Sequence, residues 1–134
     1  MIHLVTGGSG SGKSAYAEQC ILDFGGTRRV YIATMQPFGA EGQARIARHR
    51  KMRAAKKFST IECYTNLKEV ELEPGSDVLL ECMSNLTANE IFDPSGAGKA
   101  RTEEEILAGV SRLANQARNL VLVTNEIFFG RIPI

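Results

Sequence analysis

Residues 7–14 (GGSGSGKS), near the start of the chain, match the phosphate-binding pattern G-x-x-x-x-G-K-[ST]. A β-rich run at residues 2–6 precedes them, and apolar residues recur at helical spacing through residues 13–24. Glycines let successive backbone N–H groups converge on an anion, and the N-terminus of the following helix adds partial positive charge. The segment therefore predicts a strand, a phosphate-binding loop and a helix, in that order.

Two side chains of this loop have predicted roles in binding a nucleoside triphosphate. Lys13 is expected to reach the β- and γ-phosphates, and Ser14 to bind Mg²⁺ through its hydroxyl. Glu81 ends an apolar strand, where P-loop proteins place the acid that orients the Mg²⁺ shell. A loop hydrogen bond is the other interpretation of Glu81. The residues predicted to surround the phosphates are Gly7, Gly8, Ser9, Gly10, Ser11, Gly12, Lys13 and Ser14.

Predicted strands alternate with predicted helices along the rest of the chain. The strands are residues 29–33, 60–64, 78–82 and 120–124, and the helices are residues 40–57, 85–92 and 102–118. Thr102 and Glu105 form a capping-box pattern at the start of the last helix. Apolar strands separated by helices imply a mainly parallel sheet, because parallel neighbours need crossover connections that cover the sheet. We predict an α/β fold, a three-layer P-loop NTPase-like (RecA-like) domain formed by residues 1–134.

Composition and charge exclude several classes of protein. With 43% apolar and 23% charged residues, the chain is unlike disordered, collagenous or coiled-coil proteins. A net charge of +1 removes the global electrostatic argument for a nucleic-acid coat or a membrane-surface protein. No apolar run approaches the roughly 20 residues of a membrane span, and no leader is evident, so a cytoplasmic location is expected. Reduced thiols are predicted at Cys20, Cys63 and Cys82.

The predicted helix at residues 40–57 carries an unusual density of positive charge. Residues 45–57 contain seven Lys and Arg residues, one histidine and no acid, which predicts an anionic partner. At four-residue steps Arg45, His49 and Arg53 share one helical face, which could form a phosphate clamp with a nucleophile. From the residues alone, a solvated basic helix with an incidental histidine is the more common alternative.

Five segments, in chain order, together carry a family resemblance. They are residues 4–18 around the P-loop, 31–36 (YIATMQ), 45–50 (RIARHR), 79–82 (LLEC) and 121–126 (VLVTNE). In this combination the chain resembles the bifunctional adenosylcobinamide kinase/adenosylcobinamide-phosphate guanylyltransferase family of cobalamin synthesis. The resemblance implies two reactions on one corrinoid. ATP or GTP first phosphorylates the aminopropanol hydroxyl of adenosylcobinamide, and GTP then donates GMP to that phosphate through a GMP-histidine intermediate, releasing pyrophosphate.

The resemblance also implies roles for particular residues. His49 takes the position of the guanylylated histidine, and the residues expected to line the guanine nucleotide are Arg50, Lys51, Met52 and Arg53. Further positions that match nucleotide contacts of the family are Thr34, Met35, Gln36, Glu62 and Glu81. The resemblance implies Mg²⁺ as the cofactor and ATP and GTP as substrates. The implied partners are the corrinoid, the nucleotides and two further copies of the chain in a homotrimer, with no nucleic acid.

Family members continue beyond the N-E-x-x-x-G-x-x-P motif, here residues 125–133, with a helix and a final strand. The resemblance therefore predicts that this C-terminal helix and strand are missing from the chain as given. Two other functions fit the residues. One is a different small P-loop kinase or NTPase whose basic helix clamps phosphates. The other is a non-catalytic nucleotide-binding remnant or a nucleic-acid-binding module.

Overall fold

The computed structural model of the protein describes residues 2–7, 12–36 and 39–125. Strands are separated by helices along most of these residues, as the sequence predicts, and α-helices follow one another once, between the fourth and fifth strands. The elements are β1 (Ile2–Gly7), α1 (Lys13–Asp23), β2 (Arg28–Ala33), α2 (Gly39–Ala55), β3 (Phe58–Glu62), β4 (Ser76–Glu81), α3 (Met83–Phe92), α4 (Thr102–Gln116) and β5 (Asn119–Asn125). A short 3₁₀ helix, Leu67–Glu69, lies between β3 and β4.

The described strands form one sheet in the order β1-β5-β4-β2-β3, and each neighbouring pair is parallel. β5 therefore lies between β1 and β4, and its register places Val121 opposite His3. Because these strands all run in one direction, their carboxyl ends meet at one edge of the sheet, where α/β proteins bind their ligands. The residues that finish the strands there are Gly7, Ala33, Glu62, Glu81 and Asn125.

Both faces of the central strands are buried. On one face, fully buried Leu80 belongs to the apolar cluster that contains Leu86 of α3 and Leu113 of α4. On the other face, fully buried Leu79 belongs to the cluster that contains Ile21 of α1. A strand covered on both sides needs a continuous apolar run rather than alternation, which β4 supplies. Helices on two faces of a parallel sheet confirm the predicted α/β architecture, and it is consistent with a P-loop NTPase-like fold.

Several element boundaries differ from the prediction by about two residues, and one predicted cap is wrong. β3 begins at Phe58, two residues before the predicted start, because Phe58 is buried in the cluster on the α1 face. α2 ends at Ala55 rather than at residue 57, and Lys57 has a left-handed φ of 63°. The capping box predicted at Thr102 is wrong. Thr102 is the first residue of α4, and its hydroxyl instead donates to the carbonyl of Gly98 at 2.7 Å.

Candidate nucleotide and metal site

Ser14 and Glu81 meet at the carboxyl edge of the sheet. Ser14 lies in the first turn of α1, and its hydroxyl donates a hydrogen bond to Glu81 Oε2. Glu81 is the last residue of β4, and its other carboxylate oxygen, Oε1, accepts a hydrogen bond of 2.9 Å from the Tyr31 hydroxyl. A carboxylate beside a hydroxyl is a pair of hard oxygen donors, which is what Mg²⁺ prefers in sites where it keeps most of its waters. The residues at this edge therefore fit the ion that the sequence predicts.

The described part of the P-loop lies at the same edge. Gly7 ends β1, and Gly12 precedes α1 with a left-handed φ of 83°, a conformation that glycine adopts without a steric penalty. Gly12 has no side chain to cap the helix, so the first N–H groups of α1 are suited to bind an anion. Lys13 is the first residue of α1. The other residues predicted to surround the phosphates, Gly8, Ser9, Gly10 and Ser11, lie outside the described residues, as do residues 126–133 of the C-terminal motif.

Tyr31 connects this site to the end of α2. The guanidinium carbon of Arg53 lies 3.5 Å from the centroid of the Tyr31 ring, and both side chains are buried. Just beyond α2, Lys56 forms an ion pair of 2.7 Å with Glu18 of α1. Burial, followed by the charge of Glu81, raises the pKa of the Tyr31 hydroxyl far above its usual range. The hydroxyl therefore remains a hydrogen-bond donor to the carboxylate at all physiological pH values.

The other predicted residues of α2 lie on its exposed surface. The guanidinium of Arg50 forms an ion pair with the carboxylate of Glu62, which ends β3, so the fold brings together two of the predicted nucleotide contacts. Arg53 belongs to a different environment, since its guanidinium packs against the sheet. The remaining predicted residues of this helix are exposed to solvent: His49, Lys51 and Met52.

A cavity of about 280 Å³ lies where β2 ends, and it includes the three predicted contacts that follow this strand. Its lining residues are Thr34, Met35, Gln36, Gly42, Arg45, Asn85 and Asn89. The Thr34 hydroxyl accepts a hydrogen bond from the backbone N–H of Cys82 at 2.8 Å and donates to the carbonyl of the same residue at 3.0 Å. The amide of Asn89 donates to the Thr34 carbonyl at 2.8 Å. Thr34 thus fixes the ends of β2 and β4 together beside the cavity.

Sequence reasoning missed Tyr31 and the buried position of Arg53 as parts of this site. The sequence does contain one signal for Tyr31, because a tyrosine in a strand buried on both faces needs a hydrogen-bond partner for its hydroxyl. Strand β4 offers two acids as partners, Asp77 at its start and Glu81 at its end, and of these two only Glu81 lies near the predicted phosphate loop. The stacking of Arg53 on Tyr31 depends on how α2 packs against the sheet, which no spacing within the helix predicts.

The described residues contain free thiols, but they contain no metal-binding cluster of His, Cys, Asp and Glu side chains and no helix suited to cross a membrane. Cys20, Cys63 and Cys82 are free thiols, as predicted. Across residues 2–7, 12–36 and 39–125, no group of three or more His, Cys, Asp and Glu side chains could hold a metal ion. None of the described helices has the length and apolar character that a membrane crossing requires.

Comparison with known proteins identifies the family. A family model described as cobinamide kinase / cobinamide phosphate guanyltransferase matches residues 3–134. The chain is 35% identical over 146 residues to the bifunctional adenosylcobalamin biosynthesis protein CobU of Escherichia coli (strain K12), covering 99% of this chain and 79% of that protein. The Salmonella typhimurium protein of the same name gives the same identity and coverage. The Pseudomonas aeruginosa bifunctional adenosylcobalamin biosynthesis protein CobP is 32% identical over 139 residues, which cover 100% of this chain and 76% of that protein. The chain therefore belongs to the cobinamide kinase/cobinamide phosphate guanyltransferase family.

Proposed function

We propose that this protein phosphorylates adenosylcobinamide with ATP or GTP and then transfers GMP from GTP to the resulting phosphate. The observation that carries the proposal is the contact between Ser14, the last residue of the P-loop pattern, and Glu81 at the carboxyl edge of the sheet. This contact joins the hydroxyl and the carboxylate that a Mg²⁺–triphosphate needs. Family membership supplies the corrinoid as the phosphoryl acceptor.

In the kinase reaction the side chains of the P-loop hold the triphosphate for transfer. Lys13 and the N-terminus of α1 bind the phosphate oxygens, which fixes the γ-phosphorus for attack by the corrinoid hydroxyl. Ser14 and Glu81 are the residues that would hold Mg²⁺, and the bound ion would neutralise charge on the β- and γ-phosphates. The hydroxyl oxygen forms a bond to the γ-phosphorus, and the bond from this phosphorus to the β,γ-bridging oxygen breaks. ADP or GDP leaves with the bridging oxygen, and the hydroxyl proton is released to solvent.

In the guanylyl transfer His49 acts as the nucleophile. Its imidazole nitrogen attacks the α-phosphorus of GTP, the bond between this phosphorus and the bridging oxygen breaks, and pyrophosphate leaves. A phosphate oxygen of the corrinoid then attacks the same phosphorus and releases the histidine. The exposed basic side chains near His49 on α2 stabilise the charge of the departing pyrophosphate, because they lie along the same helix.

Covalent labelling tests the guanylyl transfer. The protein is incubated with Mg²⁺ and GTP labelled at the α-phosphate, denatured, and examined for label that resists base and is released by acid, as a histidine phosphoramidate is. We expect His49→Ala to lose the label completely. Gln43→Ala, which alters an exposed and uncharged residue on the same helix, is the matched control and should keep it. Label that persists in His49→Ala would refute the assignment of the nucleophile.

Phosphoryl transfer is tested separately with nucleotides labelled at the γ-phosphate, in the presence and absence of adenosylcobinamide. We expect label in the corrinoid, and comparison of ATP with GTP identifies the preferred donor. A different small P-loop kinase or NTPase is the second candidate, favoured by the P-loop sequence alone. Turnover that does not depend on the corrinoid, together with no covalent GMP, would support that second function.

The assembly and location follow the family resemblance. We propose a homotrimer in the cytoplasm, with residues 1–134 forming one domain. The apolar side chains of Ile2 and Leu4, 52% and 57% exposed on β1, support a further contact at this edge of the described sheet. Sedimentation equilibrium measures the assembly, and a monomer at all accessible concentrations would contradict the trimer.

A further inference from the structure

We propose that Tyr31 and Arg53 are positioning residues, which hold the Glu81 carboxylate in place for the metal ion and connect it to the helix that carries His49. This inference rests on the proposed function, in which Ser14 and Glu81 bind Mg²⁺ together with a nucleotide. It goes further, because it assigns roles to a tyrosine in the middle of β2 and to a buried arginine at the end of α2.

The first step concerns the orientation of the carboxylate. Both oxygens of Glu81 have donors: Tyr31 donates to Oε1 at 2.9 Å, and Ser14 donates to Oε2. A glutamate at a strand end has several side-chain torsions, so a single ligand contact would leave the carboxylate free to rotate. The hydroxyl of Tyr31 fixes one oxygen and thereby keeps the other directed towards Ser14. Hydrogen bonds of this kind commonly orient the carboxylates that bind metal ions.

The second step concerns the rigidity of the tyrosine itself. Tyr31 lies between neighbouring strands, opposite Leu79 on β4 and Thr60 on β3, and it is only 6% exposed. Its backbone is therefore held on both sides by the sheet. The Arg53 guanidinium covers the ring at 3.5 Å. The ring cannot tilt away from Glu81 without displacing this buried side chain.

The third step concerns the cost of burying the arginine. Arg53 is 6% exposed, and its Nε atom has no hydrogen-bond partner among the residues that the structure describes. Burying a guanidinium without a carboxylate partner is unfavourable, and an apolar side chain would fill the same space at lower cost. Stacking on an aromatic ring compensates in part. This unfavourable burial indicates that Arg53 is present for its role at the site rather than for the stability of the fold.

The consequence of these contacts is a physical connection between the two proposed reactions. His49 lies one helical turn before Arg53 on the same helix. A series of direct contacts therefore runs from the last turn of α2 through Arg53, Tyr31 and Glu81 to Ser14. Loss of either positioning residue is expected to weaken metal binding and to slow guanylylation of His49.

Tyr31→Phe tests the inference, because it removes only the hydroxyl and keeps the ring under Arg53. Electron paramagnetic resonance measures the affinity for Mn²⁺ in the presence of saturating GTP. The affinity for GTP is measured separately in EDTA, which removes the metal ion. We expect Mn²⁺ to bind about 10-fold more weakly or worse, and metal-free GTP to bind unchanged. Tyr16→Phe, which removes a hydroxyl from a tyrosine that is 64% exposed, is the matched control and should change neither value. Glu81→Gln gives the effect of losing the carboxylate itself.

A Tyr31→Phe protein that binds Mn²⁺ as tightly as the wild type would overturn the inference and leave the proposed function intact. A wild-type protein that binds no Mn²⁺ with GTP would instead overturn the proposed function, and this inference with it. Circular dichroism checks the fold of each variant. If Tyr31→Phe does not fold, Arg53→Met decides, because it leaves the hydroxyl in place. It should weaken Mn²⁺ binding and slow labelling of His49, whereas wild-type values for both would overturn the inference.

Discussion

Cys63 shows how burial changes the chemistry of a single residue. The sequence places it with Cys20 and Cys82 as a reduced thiol, and in the structure it is 6% exposed, with its Sγ donating to the carbonyl of Thr65 at 3.3 Å. Burial, followed by the charges of Glu90 and Glu69, raises the pKa of the thiol to about 11. The neutral form is therefore the one that the fold favours.

We expect iodoacetamide at pH 8 to modify Cys63 much more slowly than partly exposed Cys20, because only the thiolate reacts and about one molecule in 10³ carries it at Cys63. Mass spectrometry of tryptic peptides measures both rates, and equal rates of modification would contradict the buried position of Cys63.

The same pKa shift makes the free energy of unfolding depend on pH. The contribution of this thiol is complete below the unfolded pKa of about 8.5 and is lost as the pH rises through about 11.

Individual site residues differ in how far the sequence predicts them. Ser14 and Glu81 are predictable because a fixed pattern and a strand end each determine a position, and the parallel sheet then brings both to one edge. Their roles in binding Mg²⁺ stay predictions. Arg53 is not predictable in the same way. Helical spacing groups it with Arg45 and His49, whereas its burial depends on the packing of α2 against Tyr31.

At the scale of elements, the sequence predicts what an element is better than where it ends. The central strands are predicted to within about two residues because their apolar runs are long enough to be unambiguous. β3 begins two residues earlier than predicted because the side chain of Phe58 is buried in the core. The order of the strands in the sheet does not follow from the sequence pattern, since each crossover helix could lead to several neighbouring positions.

Helix α4 provides a test in which two effects of one substitution oppose each other. Gly109 lies inside this helix, where alanine is normally favoured by about 1 kcal/mol. A Cβ at this position would lie 2.7 Å from the Cβ of Leu67, which is buried in the 3₁₀ helix. Overpacking of this kind costs about 1–3 kcal/mol. We therefore expect Gly109→Ala to lower the free energy of unfolding by about 1 kcal/mol, measured by urea denaturation.

The control for Gly109→Ala is Ser111→Ala, an exposed position on the same helix, which should be neutral or slightly stabilising. Both variants should keep the slope of the urea transition, because neither changes the surface that unfolding exposes. Stabilisation by Gly109→Ala would mean that the 3₁₀ helix moves away from α4 at little cost.

At the scale of the whole molecule, the proposed nucleotide site makes stability depend on ligand. A ligand present at 100 times its dissociation constant stabilises the folded state by about 2.7 kcal/mol. For a chain of 134 residues this corresponds to a rise in Tm of about 10 °C. We expect this rise with Mg²⁺ and GTP, followed by differential scanning fluorimetry. Lys13→Ala should remove it, whereas Lys99→Ala, in an exposed loop, should keep it. A Tm that does not respond to nucleotide would contradict the site.

The strand order also determines when the protein can assemble during its synthesis. β1 emerges from the ribosome before the other described strands, yet its partner among them is β5, which is the last of them to be made. Pairing between such distant segments is slow, because a long loop must close before any contact forms. Until then the backbone hydrogen-bonding groups that β1 later shares with β5 are available to chaperones or to other nascent chains. The beginning of the nucleotide site is thus translated first and completed last, and a ribosome that stalls before residue 119 leaves it unformed.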